Sequence, residues 1–229
     1  EVLLRWFDHW LKGVENGIAE EPPVRIFVMG RNEWRSEQEW PLARTVYTPC
    51  YLHSVGRANS LAGDGTLSWR EPGMESVDTF VYDPLHPVPT RGGNLCCSQA
   101  ALPGGPFDQR EVEGRQDVLV YTSEPLQEDL EVTGPVMVKL WASTDAVDTD
   151  WTAKLVDVYP CGRARNIVDG VIRARYRLGL GQAQLLQGGE ILEYTIDLGP
   201  TSNVFLSGHR VRLEISSSNF PKYERNTNT

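Results

Sequence analysis

Two hydrophobic rhythms divide the chain. In the opening segment, Leu3, Leu4, Phe7, Trp10, Leu11 and Val14 recur at helical spacing, with Arg5, Asp8, His9 and Lys12 opposite them. Gly13 and Gly17, followed by Pro22 and Pro23, end that pattern, so it predicts one amphipathic helix. Its aromatic-rich stripe needs a large apolar surface to pack against. After Pro23 the rhythm shortens to strand-like runs at 24–30, 45–52, 77–83, 117–123, 135–143, 152–159, 171–178, 191–198 and 210–218. These runs are rich in Val, Ile, Tyr and Thr and are separated by Gly, Pro, Asn and Asp clusters. In 24–30, Val24, Ile26 and Val28 alternate with Arg25 and Phe27, a pattern expected to pack on both faces. Many short strands behind a single helix predict an all-β sandwich or barrel. One stretch breaks the pattern: "LHPVPTRGGNLCCSQAALPGGPF" (85–107) is dense in Pro and Gly, and a loop that long is either functional or disordered.

A chain of 229 residues fits one large β domain or two small ones, and is long enough to build a core without covalent staples. Its formal net charge of −9 excludes a nucleic-acid groove or an anionic membrane surface, both of which demand basic patches. No apolar run approaches the ~20 residues needed to span a bilayer. "EVLLRWFDHW" carries mixed charge and no cleavage motif, so it does not read as a signal peptide, and the missing start Met reads as a fragment or processed product. Cys50, Cys96, Cys97 and Cys161 contain no C-x-x-C, and adjacent cysteines bridge poorly, so buried free thiols in a reducing cytoplasm are expected.

The candidate chemistry is thin. No serine has Gly on both flanks as a nucleophile elbow requires, and no motif directs His9, His53, His86 or His209 toward a nucleophile. "GLGQAQ" (179–184) lacks the third Gly of a dinucleotide fingerprint, and no cofactor is expected. "STDAVDTD" places Asp145, Asp148 and Asp150 in one loop, either capping turns or offering calcium three carboxylates. Asp157, beyond them on the strand, is expected to pair with an arginine. Trp6 and Trp10 read as helix packing and Trp141 and Trp151 as core. Trp34, Trp40 and Trp69 lie in turn-rich segments where a sugar-binding platform could form. A carbohydrate-binding module and a ligand-free structural domain therefore stand beside any enzymatic reading.

Seven segments, in order, carry a resemblance that covers nearly the whole chain. They are "VRIFVMG", "NEWRSEQEWPL", "DQREVEGRQDVLVYTSEPL", "EVTGPV", "AVDTDWTAKLVDVYPCGRA", "TSNVFLSGHR" and "SSSNFPKYERNTNT". Together they resemble the carboxy-terminal region of the bacterial cocaine esterase family, whose relatives include Xaa-Pro dipeptidyl-peptidases and α-amino-acid ester hydrolases. The resemblance implies a jelly-roll β-sandwich of galactose-binding-like type at 23–229, lacking its final segment. It also implies that residues 1–22 are the last helix of a preceding α/β-hydrolase domain plus a linker. A serine, histidine and aspartate upstream would then hydrolyse a small ester or Xaa-Pro amide, and this chain alone would be inactive, with its own hydrolase and cap domains as partners. The loop "GGNLCCSQ" (92–99) would wall the acyl-binding pocket through Leu95, Cys96 and Cys97. In relatives the corresponding groups are bulkier, so a roomier pocket is implied, unless the two cysteines are simply buried. A missing final segment would leave an edge strand open to a second copy, a route to a homo-oligomer.

Overall fold

In the computed structural model, residues 1–95 and 102–229 are described. The predicted helix forms as α1 (Val2–Lys12) and stops at Gly13, whose φ of 68° closes the helix with N–H donation to His9. Strand pairing begins with a hairpin of β1 (Val24–Val28) and β2 (Glu33–Glu37). A six-stranded mixed sheet then orders β3 (Tyr51–His53), β4 (Thr66–Ser68), β5 (Leu119–Thr122), β10 (Arg210–Ser216), β7 (Asp150–Val158) and β8 (Ala164–Arg173). Opposite it lie β6 (Leu130–Ala142) and β9 (Leu192–Phe205), paired antiparallel along their whole length. A short helix, α2 (Arg110–Glu113), sits in the connection before β5. The chain is thus an all-β jelly-roll sandwich behind one leading helix. No helix among the described residues is long and apolar enough to cross a membrane.

The core fills the space between the layers. Trp151, Ala153 and Leu155 of β7 and Val211, Leu213 and Ile215 of β10 point inward, meeting Tyr194, Ile196 and Leu198 of β9. This is the period-two face that the sequence displays. Gly170 on β8 lets the two layers close: a Cβ there would sit 2.1 Å from the Asp197 carbonyl oxygen of β9. Gly170→Ala must push the sheets apart and is expected to cost about 1–3 kcal/mol, read as a lower thermal midpoint. An unchanged midpoint would show that the layers shift freely at this point.

Several expectations are corrected. Segment 77–83 is not a strand: its start is held by side-chain bonds instead of a ladder. Asp78 accepts hydrogen bonds from Ser54 Oγ (2.6 Å), the Ala58 N–H (2.8 Å) and Tyr121 Oη (2.7 Å). Residues 45–50 are likewise irregular, with the strand starting only at Tyr51. Strand β2 ("EWRSE") has a single apolar residue, Trp34, and so shows no apolar–polar alternation. Only one face of β1 is covered: Phe27 is exposed and meets the Trp34 ring edge-on at 5.3 Å. Trp141 lies outward on β6 at 63% exposure, not in the core, whereas Trp151 is buried. Cys50 and Cys161 are free but exposed. Among the described strands, β6 pairs with β9 alone, and Thr45 Oγ1 donates to its Thr133 carbonyl at 3.1 Å.

The outer face of the six-stranded sheet is not left to water. All nine residues of β7 are buried. Val88, Val112, Val118 and Val120 form a second apolar cluster, so the Pro/Gly-rich segment and α2 cover this side. The part of the long loop around Val88 is therefore packed against the sheet.

Candidate functional site

The covering loop is fastened at its neck. Gly93 and Gly105 exchange backbone hydrogen bonds of 2.8 Å, and Gly92 beside them has φ 71°. A Cβ on Gly92 would lie 2.3 Å from the Gly105 oxygen and 2.5 Å from the Phe107 ring, so only glycine fits this close approach. Beneath the neck, Lys222 Nζ donates to both oxygens of Asp169 (2.8 and 2.7 Å) and to Asn94. Asn219 adds a 3.0 Å bond to Asp169. Gln109 Nε2 reaches the Arg91 carbonyl at 2.8 Å, tying the two arms together. Leu95 sits half-buried just beyond this neck, its N–H bonded to Gly93 O at 2.9 Å. Cys96 and Cys97 lie outside the described residues.

The aspartate set is placed but divided. Asp145 is exposed, whereas Asp148 and Asp150 are buried. Asp148 accepts from the Arg175 N–H (2.9 Å), Arg175 Nε (2.7 Å) and Asn226 Nδ2 (2.8 Å). Asp150 accepts from Arg173 Nε (2.9 Å) and the same Asn226 amide (2.8 Å). Guanidinium and amide donors occupy the lone pairs a calcium ion would need, and no metal-holding trio of His, Cys, Asp or Glu occurs among the described residues. The pair instead clamps the chain near Asn226. Asp157 pairs with His209 Nδ1 at 2.8 Å, not with the expected arginine. Burial raises the Asp157 carboxyl above its usual range, against the pull of that histidine.

A second charged group escaped the sequence entirely. On the covered outer face, Lys154 Nζ lies 3.3 Å from Glu214 Oε2, and Arg212 Nη1 lies 2.6 Å from Glu113 Oε2. All four side chains are buried. Gln109 Oε1 accepts from Lys154 at 3.2 Å and links this cluster to the loop neck. Strand residues of this type read as solvent-facing, and only the cover supplied by α2 reveals otherwise.

The helix that opens the chain has the opposite character. No residue of α1 is buried, and Leu3, Trp10 and Leu11 are 72%, 58% and 75% exposed. Trp6 and Trp10 stack on each other at 5.7 Å but on nothing larger. Trp34, Trp40 and Trp69 are also exposed. Of the histidines, His9 bonds the Val14 carbonyl and His86 bonds Asp83, while His53 contacts both Glu75 and Ser68.

Residues 16–229 match the family described as X-Pro dipeptidyl-peptidase C-terminal non-catalytic domain. The chain is 52% identical over 224 residues to cocaine esterase of Rhodococcus sp. (strain MB1 Bresler), covering 98% of this chain and 39% of that protein. It is 25% identical over 216 residues to a putative Xaa-Pro dipeptidyl-peptidase of Bacillus anthracis, covering 94% of this chain and 32% of the other. Its fold superposes on an α-amino acid ester hydrolase with a TM-score of 0.83 at 32% identity, covering 99% of this chain and 38% of that one. The chain therefore spans roughly a third to two-fifths of the length of these relatives.

Proposed function

We propose that this chain, which belongs to the X-Pro dipeptidyl-peptidase C-terminal non-catalytic domain family, is the supporting sandwich of a serine hydrolase. The hydrolase acts on small esters or Xaa-Pro amides by acyl transfer to water, with the triad supplied upstream. The observation that carries this reading is α1: an apolar, aromatic-rich helix face with nothing among the described residues to cover it. In this reading the face seats against the preceding α/β-hydrolase domain. Leu95, with Cys96 and Cys97, walls the acyl side of the cleft, where domains meet and pockets form. The side of β6 away from β9 is where a second copy would add if the assembly is oligomeric.

A paired measurement tests the reading. Trp10→Asp/Leu11→Asp in the 229-residue chain is expected to change stability by less than about 0.5 kcal/mol, because both side chains already face water. In a protein extended upstream, each buried anchor is worth about 1.5–3 kcal/mol, so the same change should lower the melting point sharply. Turnover of p-nitrophenyl esters or Xaa-Pro anilides should fall with it, while the 229-residue chain alone sustains none. Equal effects in the two proteins, or an extended protein without hydrolysis, would overturn the assignment.

A further inference from the structure

The loop neck at Gly92–Gly93 and Gly104–Gly105 is built of glycines, which carry no side chain to hold the loop in place. A fastening comes from the tail of the chain. Residues 218–222 run beside 88–90: the Val88 N–H donates to Ser218 Oγ at 2.9 Å, the Thr90 N–H to the Phe220 carbonyl at 2.7 Å, and the Lys222 N–H to Thr90 Oγ1 at 3.0 Å. These bonds deliver Lys222 to Gly93, where a Cβ would sit 3.0 Å from Asp169 Oδ1 and 3.6 Å from Lys222 Nζ. The Lys222 side chain is 7% exposed and that of Asp169 3%. An ammonium has three hydrogens to donate. Both Asp169 oxygens accept from it, and so does Asn94 Oδ1, the first side chain beyond the paired glycine. A buried ion pair resists displacement, because a partner that moves leaves the other charge uncompensated. Leu95 follows directly. Its N–H bonds Gly93 O, and it lies across the neck from Gly104, where an added Cβ would meet Leu95 O at 3.0 Å.

We propose that Lys222 is a positioning residue for acyl-group selection: through Asn94 it fixes where Leu95 stands, and so which acyl groups the cleft admits. The inference rests on the reading above, in which Leu95 walls the acyl side of a serine hydrolase's cleft. Lys222 itself touches no substrate. A pocket wall discriminates between acyl groups that differ by a methylene or a ring only while its own position is fixed. Gln109 and Asn166 secure the two arms at Arg91, Gly105 and Phe107, and the lysine reaches past Gly93 to Asn94. The wall is thereby referred to a buried ion pair on β8 rather than to contacts within the loop.

Two measurements test it. In the 229-residue chain, followed by NMR, Asn94→Ala should speed hydrogen exchange of the Gly93 and Gly105 amides at least about ten-fold while the β7–β10 ladder keeps its rate. Asn94→Asp, whose carboxylate can still accept from Lys222, should restore the protection. In the protein extended upstream, Asn94→Ala should narrow the spread of kcat/KM across p-nitrophenyl acetate, butyrate and benzoate, or across Xaa-Pro anilides that differ at Xaa, by about five-fold. The change should be carried by KM and reversed by Asn94→Asp. Simple loss of folded enzyme scales every substrate alike and leaves the spread as it was. Lys222→Met should act in the same direction; if it does not fold, the Asn94 variants carry the comparison, since Asn94 is exposed and its loss leaves the Lys222–Asp169 pair intact. Unchanged exchange at the neck overturns the proposal, and so does an unchanged spread in an active extended protein. An extended protein that hydrolyses none of these substrates sinks the hydrolase assignment itself, while the exchange result still decides whether Lys222 sets the neck.

Discussion

Arg212→Met is expected to lower the free energy of unfolding by about 3–5 kcal/mol, the usual consequence of breaking a buried ion pair from one side. Arg212 lies on β10 with 7% of its side chain exposed, and its Nη1 donates to Glu113 Oε2 at 2.6 Å. Its Nε holds Thr122 Oγ1 of the neighbouring strand at 2.8 Å. Glu113 is fully buried on α2, and its other oxygen has no hydrogen-bond partner. Methionine would keep most of the arginine's apolar stem. It would also leave two buried carboxylates, Glu113 and Glu214, facing Lys154 as their remaining cation. Urea unfolding at pH 8 measures the effect. The double variant Glu113→Gln/Arg212→Met should cost clearly less than Arg212→Met alone, because it leaves no uncompensated charge. If the single and double variants are equally unstable, the loss is one of packing and the charge argument fails.

This cluster also marks the boundary of what the sequence made legible. The strands that line the core announce themselves: Trp151, Ala153 and Leu155 alternate with Thr152 and Lys154, and the register with Leu213 and Ile215 follows from that period. Periodicity tells which side chains share a face but not what covers that face. Lys154, Arg212 and Glu214 alternate with core residues and are buried because α2 and the segment around Val88, distant in sequence, cover their face. Arg212 and Glu113 are separated by 99 residues. The same limit governs His53, which meets Ser68 through hairpin register and Glu75 through a returning loop. False signals have the inverse cause. Val77 and Val81 alternate as in a strand, yet both are exposed, because Asp78 ties the segment down through its side chain. The family was legible for a different reason: many short segments matched in order, a signal independent of any local period.

Raising the pH from about 5 to about 7.5 is expected to weaken the fold through Glu214. Burial is the largest influence on this carboxyl, Lys154 opposes it and Glu113 adds to it; together they lift it from 4.5 to about 7. Between those values the folded chain keeps a proton that the unfolded chain has released. Stability on this account is greatest below 4.5 and is lost as pH climbs through 7, by on the order of 3 kcal/mol in all. Asp108 and Glu131 act in the opposite sense. Arg110 and Arg35 hold them down at about 2, so their stabilisation is present above the ordinary carboxylate range and disappears as pH falls toward 2. The two trends place the stability maximum on the acidic side of neutral. Unfolding titrations of the chain and of Glu214→Gln, repeated across pH 5–8, isolate the contribution, since every other ionisable group is common to both. The difference between the two curves should change steadily from 5 to 7.5. A constant difference would mean that Glu214 is ionised throughout, held by Lys154 strongly enough to overcome its burial.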